Sequence, residues 1–148
     1  MAKRFVRDVM HVGVITCHPE APISEVAERM KSHGVSALVV TDAAGYAVGV
    51  ISRTDLMNTV FIQPYLERWR GMTARHVMSS PVISVRAECS LESAIDLIKE
   101  RKIHRLVVTE PEGDRERPIG ILSVTDLALH LGEEGWDEPR RELRSFRA

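Results

Sequence analysis

The chain has 148 residues, 44% of them hydrophobic and 28% charged, so it has the apolar surface to exclude disorder and a length that favours one compact domain or two small halves sharing a core. Its 9 Gly and 7 Pro are ordinary numbers and exclude a collagen-like or low-complexity chain. Twenty Lys and Arg against 21 Asp and Glu give a formal charge of −1, hence no global field to draw in nucleic acid or an anionic membrane.

The chain opens on Lys3 and Arg4 with no apolar run behind them, so no secretory signal is expected. Nowhere does an apolar run approach the ~20 residues that cross a bilayer. The expected location is cytoplasmic, with neither membrane nor nucleic acid as partner. Cys17 and Cys89 form no CxxC pair and read as two free buried thiols.

The first pattern opens with Val6-Arg7-Asp8-Val9-Met10. A short β-branched strand is expected at residues 14–16, followed by a helix that Pro22 starts. Ile23, Val26, Ala27 and Met30 stand at i, i+3, i+4 and i+7 and make one apolar stripe on a solvated helix. Residues 37–41 are apolar without alternation, as strands covered on both faces are. A glycine-containing turn leads to a strand ending at Ile51, and a further helix begins at Ser52. Residues 63–73 read as a connector, helical until Gly71, with Thr73 capping a short turn.

The same grammar then returns. Met10 falls on Met78, an offset of 68 that also carries Val14-Ile15-Thr16 onto Val82-Ile83-Ser84 and Leu38-Val39-Val40-Thr41 onto Leu106-Val107-Val108-Thr109. Ser90 suits the N-cap of the second copy's helix, whose stripe is Leu91, Ala94, Ile95 and Ile98. A longer turn at residues 110–118 raises the offset to 71. Gly49-Val50-Ile51-Ser52-Arg53-Thr54-Asp55-Leu56 then falls on Gly120-Ile121-Leu122-Ser123-Val124-Thr125-Asp126-Leu127. The result is an α/β chain of two tandem β-α-β-β-α copies, residues 6–62 and 74–131. Neither is long enough to bury much alone, so the two are expected to pack as one unit. Residues 132–148 read as a polar C-terminal tail.

Ser52-x-Thr54-Asp55 and Ser123-x-Thr125-Asp126 sit where a strand ends and a helix starts. A carboxylate there can accept two hydrogen bonds from a ribose diol, and the helix N-terminus favours an anion. The same Ser-x-x-Asp is also a capping-box signal that satisfies the helix's own N–H groups. Ile103-His104-Arg105-Leu106 puts two basic residues at the start of a buried strand, where an unpaired charge is costly. Arg105 can fork onto phosphate oxygens with His104 donating beside it, or pair with a surface carboxylate while His104 stays half exposed. In the first copy the matching segment is Val35-Ser36-Ala37, with no cation.

The doubled pattern of a Val-Met opening, an apolar strand, a helix, a Leu-Val-Val strand and Gly-x-x-Ser-x-Thr-Asp resembles a tandem cystathionine-beta-synthase (CBS) domain pair, the Bateman module, over about residues 6–130. The resemblance implies two repeats packed through their sheets with pseudo-two-fold symmetry and clefts that bind adenosine-containing ligands. It also implies that such modules join into homodimers and are not themselves catalytic. A His-Arg pair at this place contacts nucleotide phosphates in the regulatory subunit of AMP-activated kinase. Family geometry would join Val14, Ile15, Val35, Ser36 and Ala37 to Ile121, Ser123, Thr125 and Asp126 in one site. It would join Val82, Ile83, Ile103, His104 and Arg105 to Val50, Ser52, Thr54 and Asp55 in the other, with Arg53 adding charge. The second site is then expected to prefer a phosphorylated nucleotide.

Other constellations are poor. His11, His18, His33, His76 and His130 show neither HxH nor HExxH spacing and read as dispersed surface histidines, so no metal is expected. No Walker loop or GxSxG elbow occurs. The resulting expectation is a regulatory module, not an enzyme, that binds AMP, ADP or ATP and acts on an effector protein by ligand-dependent conformational change. S-adenosylmethionine is the alternative ligand, and a ligand-free dimerisation or interaction module is the alternative class.

Overall fold

A computed structural model describes residues 4–62 and 71–134. Most of the expected connector and most of the expected tail lie outside the described residues. After a short 3-10 turn at Val6–Asp8, the first repeat runs β1 (His11–Val12), β2 (Thr16–Cys17), α1 (Ile23–His33), β3 (Ala37–Thr41), β4 (Ala47–Ser52) and α2 (Arg53–Ile62). The second runs α3 (Ala74–Val77), β5 (Ser84–Arg86), α4 (Leu91–Arg101), β6 (Arg105–Glu112), β7 (Arg115–Ser123) and α5 (Val124–Glu134). In each repeat a parallel pair (β2–β3, β5–β6) is continued by an antiparallel one (β3–β4, β6–β7). The apolar runs therefore sit in the middle strands: Leu38, Val39, Val40, Leu106, Val107 and Val108 are all buried.

The helices obey their sequence pattern, with one narrowing. Val26 and Met30 are buried on α1 and Ile23 is half-buried, but Ala27 is exposed, so the buried stripe is thinner than its spacing suggests. On α4, Leu91, Ala94 and Ile98 are buried, and the Ser90 hydroxyl accepts from the Ser93 N–H as the expected cap. Thr73 precedes α3 as expected, its N–H donating to His76 Nδ1 at 2.9 Å.

Two boundaries differ from expectation. The strands expected from residues 14 and 82 begin at Thr16 and Ser84; just before them the Ile15 and Ile83 carbonyls still accept from the Val39 and Val107 N–H groups, while Val14, Ile15, Val82 and Ile83 line cavities between the repeats. The expected turn at residues 110–118 is mostly strand. β6 and β7 pair out to Glu112 and Arg115 and reverse at Gly113, with Arg117 of β7 pairing to Glu112 of β6.

The repeats also exchange their leading segments. Val6 and Arg7 donate backbone hydrogen bonds to Cys89 and Ala87, and Val6 is fully buried in the core of the second repeat. Ala74 and Arg75, their counterparts 68 residues on, donate to Ala21 and Pro19, and Ala74 is fully buried in the first repeat's core. β1 then pairs with β7 of the other repeat, His11 opposite Ile121, while Ser79 bridges Val50 in mirror fashion. Gly120 and Gly49 make room for the crossing segments: a Cβ on Gly120 would lie 2.6 Å from the His11 carbonyl oxygen, and one on Gly49 would strike Met78. These reciprocal contacts are the pseudo-two-fold symmetry at the level of atoms, and β4 touches β7 where the two sheets meet. Cys17 is buried, which pushes its thiol pKa up, and both cysteines are free.

Candidate functional site

Folding brings the expected residues together as two cavities between the repeats. The first, of about 490 Å³, is walled by Val14, Ile15, Val35, Ser36 and Ala37 from one repeat and Ile121, Ser123, Thr125 and Asp126 from the other. The second, of about 330 Å³, is walled by Val82, Ile83, Ile103, His104 and Arg105 together with Val50, Ser52, Thr54 and Asp55. Arg53 is not in either wall. It is exposed at the first turn of α2, and its backbone N–H donates to the Ser36 carbonyl at 2.8 Å.

The Ser-x-Thr-Asp segments are capping boxes in both repeats. Ser52 N–H donates to Asp55 Oδ2 at 2.8 Å, and Asp55 N–H donates back to Ser52 Oγ at 3.1 Å. Ser123 and Asp126 repeat the exchange at 3.1 Å each way. Each box uses one carboxylate oxygen. The other, Oδ1, has no hydrogen-bond partner among the described residues, in a side chain that lines a cavity. Helix capping and a free acceptor therefore coexist in the same residue.

Charge is distributed unequally, but not as the alignment of the two copies suggests. The second cavity carries Lys102, His104 and Arg105. Lys102 escapes sequence reasoning because its counterpart is Gly34: both end a helix in the left-handed region, at φ 54 and φ 63. An L side chain tolerates that conformation poorly. The first cavity, expected to lack a cation, has Arg105 in its wall too. The Arg105 Nη2 donates to Ser36 Oγ at 3.0 Å, across the repeat boundary. No carboxylate partner of Arg105 occurs among the described residues, and His104 is exposed.

Two histidines read as dispersed surface residues also line the first cavity. His11 arrives there on β1 through the strand exchange, and His33 sits at the last turn of α1 with Nδ1 2.9 Å from the Arg29 carbonyl. Ser79 and Pro81 line the second cavity as the counterparts of His11 and Gly13 in the first. The offset of 68 could have found them once one of each pair was known. No helix among the described residues is long and apolar enough to cross a membrane.

Comparison with known proteins gives a family and a set of relatives. The family model of the CBS domain matches twice, at residues 6–61 and 74–133. An uncharacterized protein of Methanopyrus kandleri is 30% identical over 122 residues, 82% of this chain but 60% of that protein. The CBS domain-containing protein YhcV of Bacillus subtilis is 30% identical over 126 residues, covering 84% of each chain. Among solved structures, the CBS domain pair of protein MJ0100 in complex with 5′-methylthioadenosine and S-adenosylmethionine has TM-score 0.79 at 21% identity, covering 90% of this chain and all of that one. CBSX2 in complex with AMP has TM-score 0.72 at 26% identity, covering 89% of this chain and 99% of that one.

Proposed function

The chain belongs to the CBS-domain family, and from that premise we propose that it is a regulatory module taking an adenine nucleotide in the clefts between its repeats. The observation that carries this reading is the second cleft. Lys102, His104 and Arg105 stand in one wall, and Asp55, with an unused acceptor oxygen, stands in the other. That is a cationic end for phosphate and an anionic end for a ribose diol, with Val50, Val82, Ile83 and Ile103 as apolar surface for a base. CBSX2, which is similar over nearly the whole chain, was solved with AMP.

The first cleft is larger and has Gly34 and Ala37 at the places of Lys102 and Arg105, with Arg105 itself reaching it across the boundary, which suits a ligand with less phosphate charge. S-adenosylmethionine carries a sulfonium cation in place of phosphate, and Lys102 and Arg105 disfavour it in the second cleft. Binding between two repeats stabilises one arrangement of them, so the output is a change of shape passed to an effector protein. The exposed apolar residues Met57 on α2 and Leu129 on α5 suit a homodimer contact. On this reading the module binds and does not catalyse, and the purified chain is expected to leave ATP unhydrolysed.

A thermal-shift titration with AMP, ADP, ATP and S-adenosylmethionine tests this. A ligand that binds only the folded state at 100 times its Kd adds about 2.7 kcal/mol of stability. The nucleotides should raise Tm, and Arg105→Ala should reduce the rise. No shift with any of the four would favour the ligand-free interaction module.

A further inference from the structure

Arg105 is in the wall of both cavities, and its counterpart in the first repeat is the buried Ala37. The exact repeat would place one guanidinium in each half; this chain has one for both. It stands at the first residue of β6, opposite Ser123, and reaches over the boundary to donate to Ser36 Oγ at 3.0 Å. From this we propose that Arg105 is shared by the two clefts, so that anionic ligands in them bind with negative coupling while uncharged ones bind independently. The inference rests on the nucleotide reading above.

The physical argument concerns geometry and charge. A guanidinium donates in one plane and pairs bidentately with one phosphate. Swung onto a phosphate in the second cleft beside Lys102 and His104, it leaves Ser36 and withdraws the first cleft's one arginine. Held on a phosphate in the first cleft beside Ser36, it leaves the second with Lys102 and His104 only. A simultaneous bridge would set a single positive charge against two dianions. Each way, the second phosphate to arrive meets a weaker site. Adenosine makes no demand on the guanidinium, and its two binding events do not interact. A coupling of about 5–10-fold lies within the ordinary range for linked sites.

The test separates coupling from intrinsic inequality. Asp126→Ala disables the first cleft and Asp55→Ala the second, so each remaining cleft's Kd for AMP is measured alone by calorimetry. In the unmodified chain the product of the two stepwise Kd values should exceed the product of the single-cleft values by about 5–10-fold with AMP, and equal it with adenosine. Placing Arg105→Gln in all three backgrounds should bring the AMP ratio to one. If alanine variants do not fold, Asp55→Asn and Asp126→Asn keep one acceptor for the cap and serve in their place. AMP filling both clefts with a ratio of one in the unmodified chain would overturn the shared-arginine inference and leave the nucleotide reading standing. AMP binding to neither cleft would overturn both.

Discussion

Asp126 caps α5 with one carboxylate oxygen and leaves the other without a protein partner beside the first cleft. Asp126→Ala should therefore lower stability by about 1 kcal/mol and weaken AMP in that cleft. Thermal melts with and without AMP separate the two effects, and a loss of stability with unchanged binding would reduce the residue to a cap. Lys102 makes the opposite kind of prediction. Its left-handed backbone at φ 54 is strained for a side chain, so Lys102→Gly should raise stability by roughly 1 kcal/mol while weakening AMP in the second cleft. An equilibrium denaturation curve and a calorimetric titration on the same variant check both signs.

At the scale of elements, the long β6–β7 hairpin carries a feature the first repeat lacks. Its Arg115 and Arg117 flank the ring of Tyr46 in the β3–β4 turn, at 3.9 and 5.1 Å from the centroid. Arg115 pairs with Asp42 of the same turn, Arg117 with Glu112, and Arg86 with Glu116. The hairpin of one repeat thus clasps the turn of the other. The N–H of Tyr46, followed by Arg115, holds the Asp42 carboxyl below its usual pKa, as Arg117 does for Glu112 and Arg86 for Glu116. A lowered carboxyl contributes stability that is present above the ordinary carboxylate range and lost as pH falls through the lowered value. Amide protection at residues 112–117 should therefore weaken below about pH 4, ahead of the β3 and β6 cores. High salt should weaken the same exposed pairs. Hydrogen exchange at several pH values reads both, and protection falling everywhere at once would argue against a separable clasp.

For the whole molecule, the exchanged leading segments make each repeat's core depend on the other repeat. Val6 is fully buried against Leu91, Leu106 and Leu122, although it begins the first repeat in sequence. Val6→Ala should cost roughly 2 kcal/mol and shift one cooperative unfolding transition rather than split it. Two separate calorimetric transitions would mean that the repeats are more independent than their shared cores imply. The same interlock gives a cleft ligand leverage, because it touches walls from both repeats at once.

The duplication, the α/β class, the middle strands and the Ser-x-Thr-Asp segments were all legible in the sequence, because periodicity, β-branching and capping are local properties that recur at a fixed offset. With the family resemblance applied, the residues named for the two clefts do stand in the cavity walls, Arg53 excepted, but Lys102, Ser79, Pro81, His11 and His33 went unnamed there. Other matters depended on contacts between residues 69 to 110 positions apart. Pattern could not say that Val6 completes the second repeat's core, or that His11 reaches a cleft by pairing with Ile121. Nor could it turn residues 110–118 from a loop into a hairpin, since the support comes from Tyr46 in the other repeat. Most of all, aligning the copies placed Arg105, with the other cationic residues, in one cleft only, whereas a long side chain at a shared boundary belongs to both. The sequence by itself determined the two repeats and the strand-end and Ser-x-Thr-Asp segments that face the space between them. Only the tertiary structure decided how they are shared, because an arginine's reach is set by what lies across the interface and not by its neighbours in the chain.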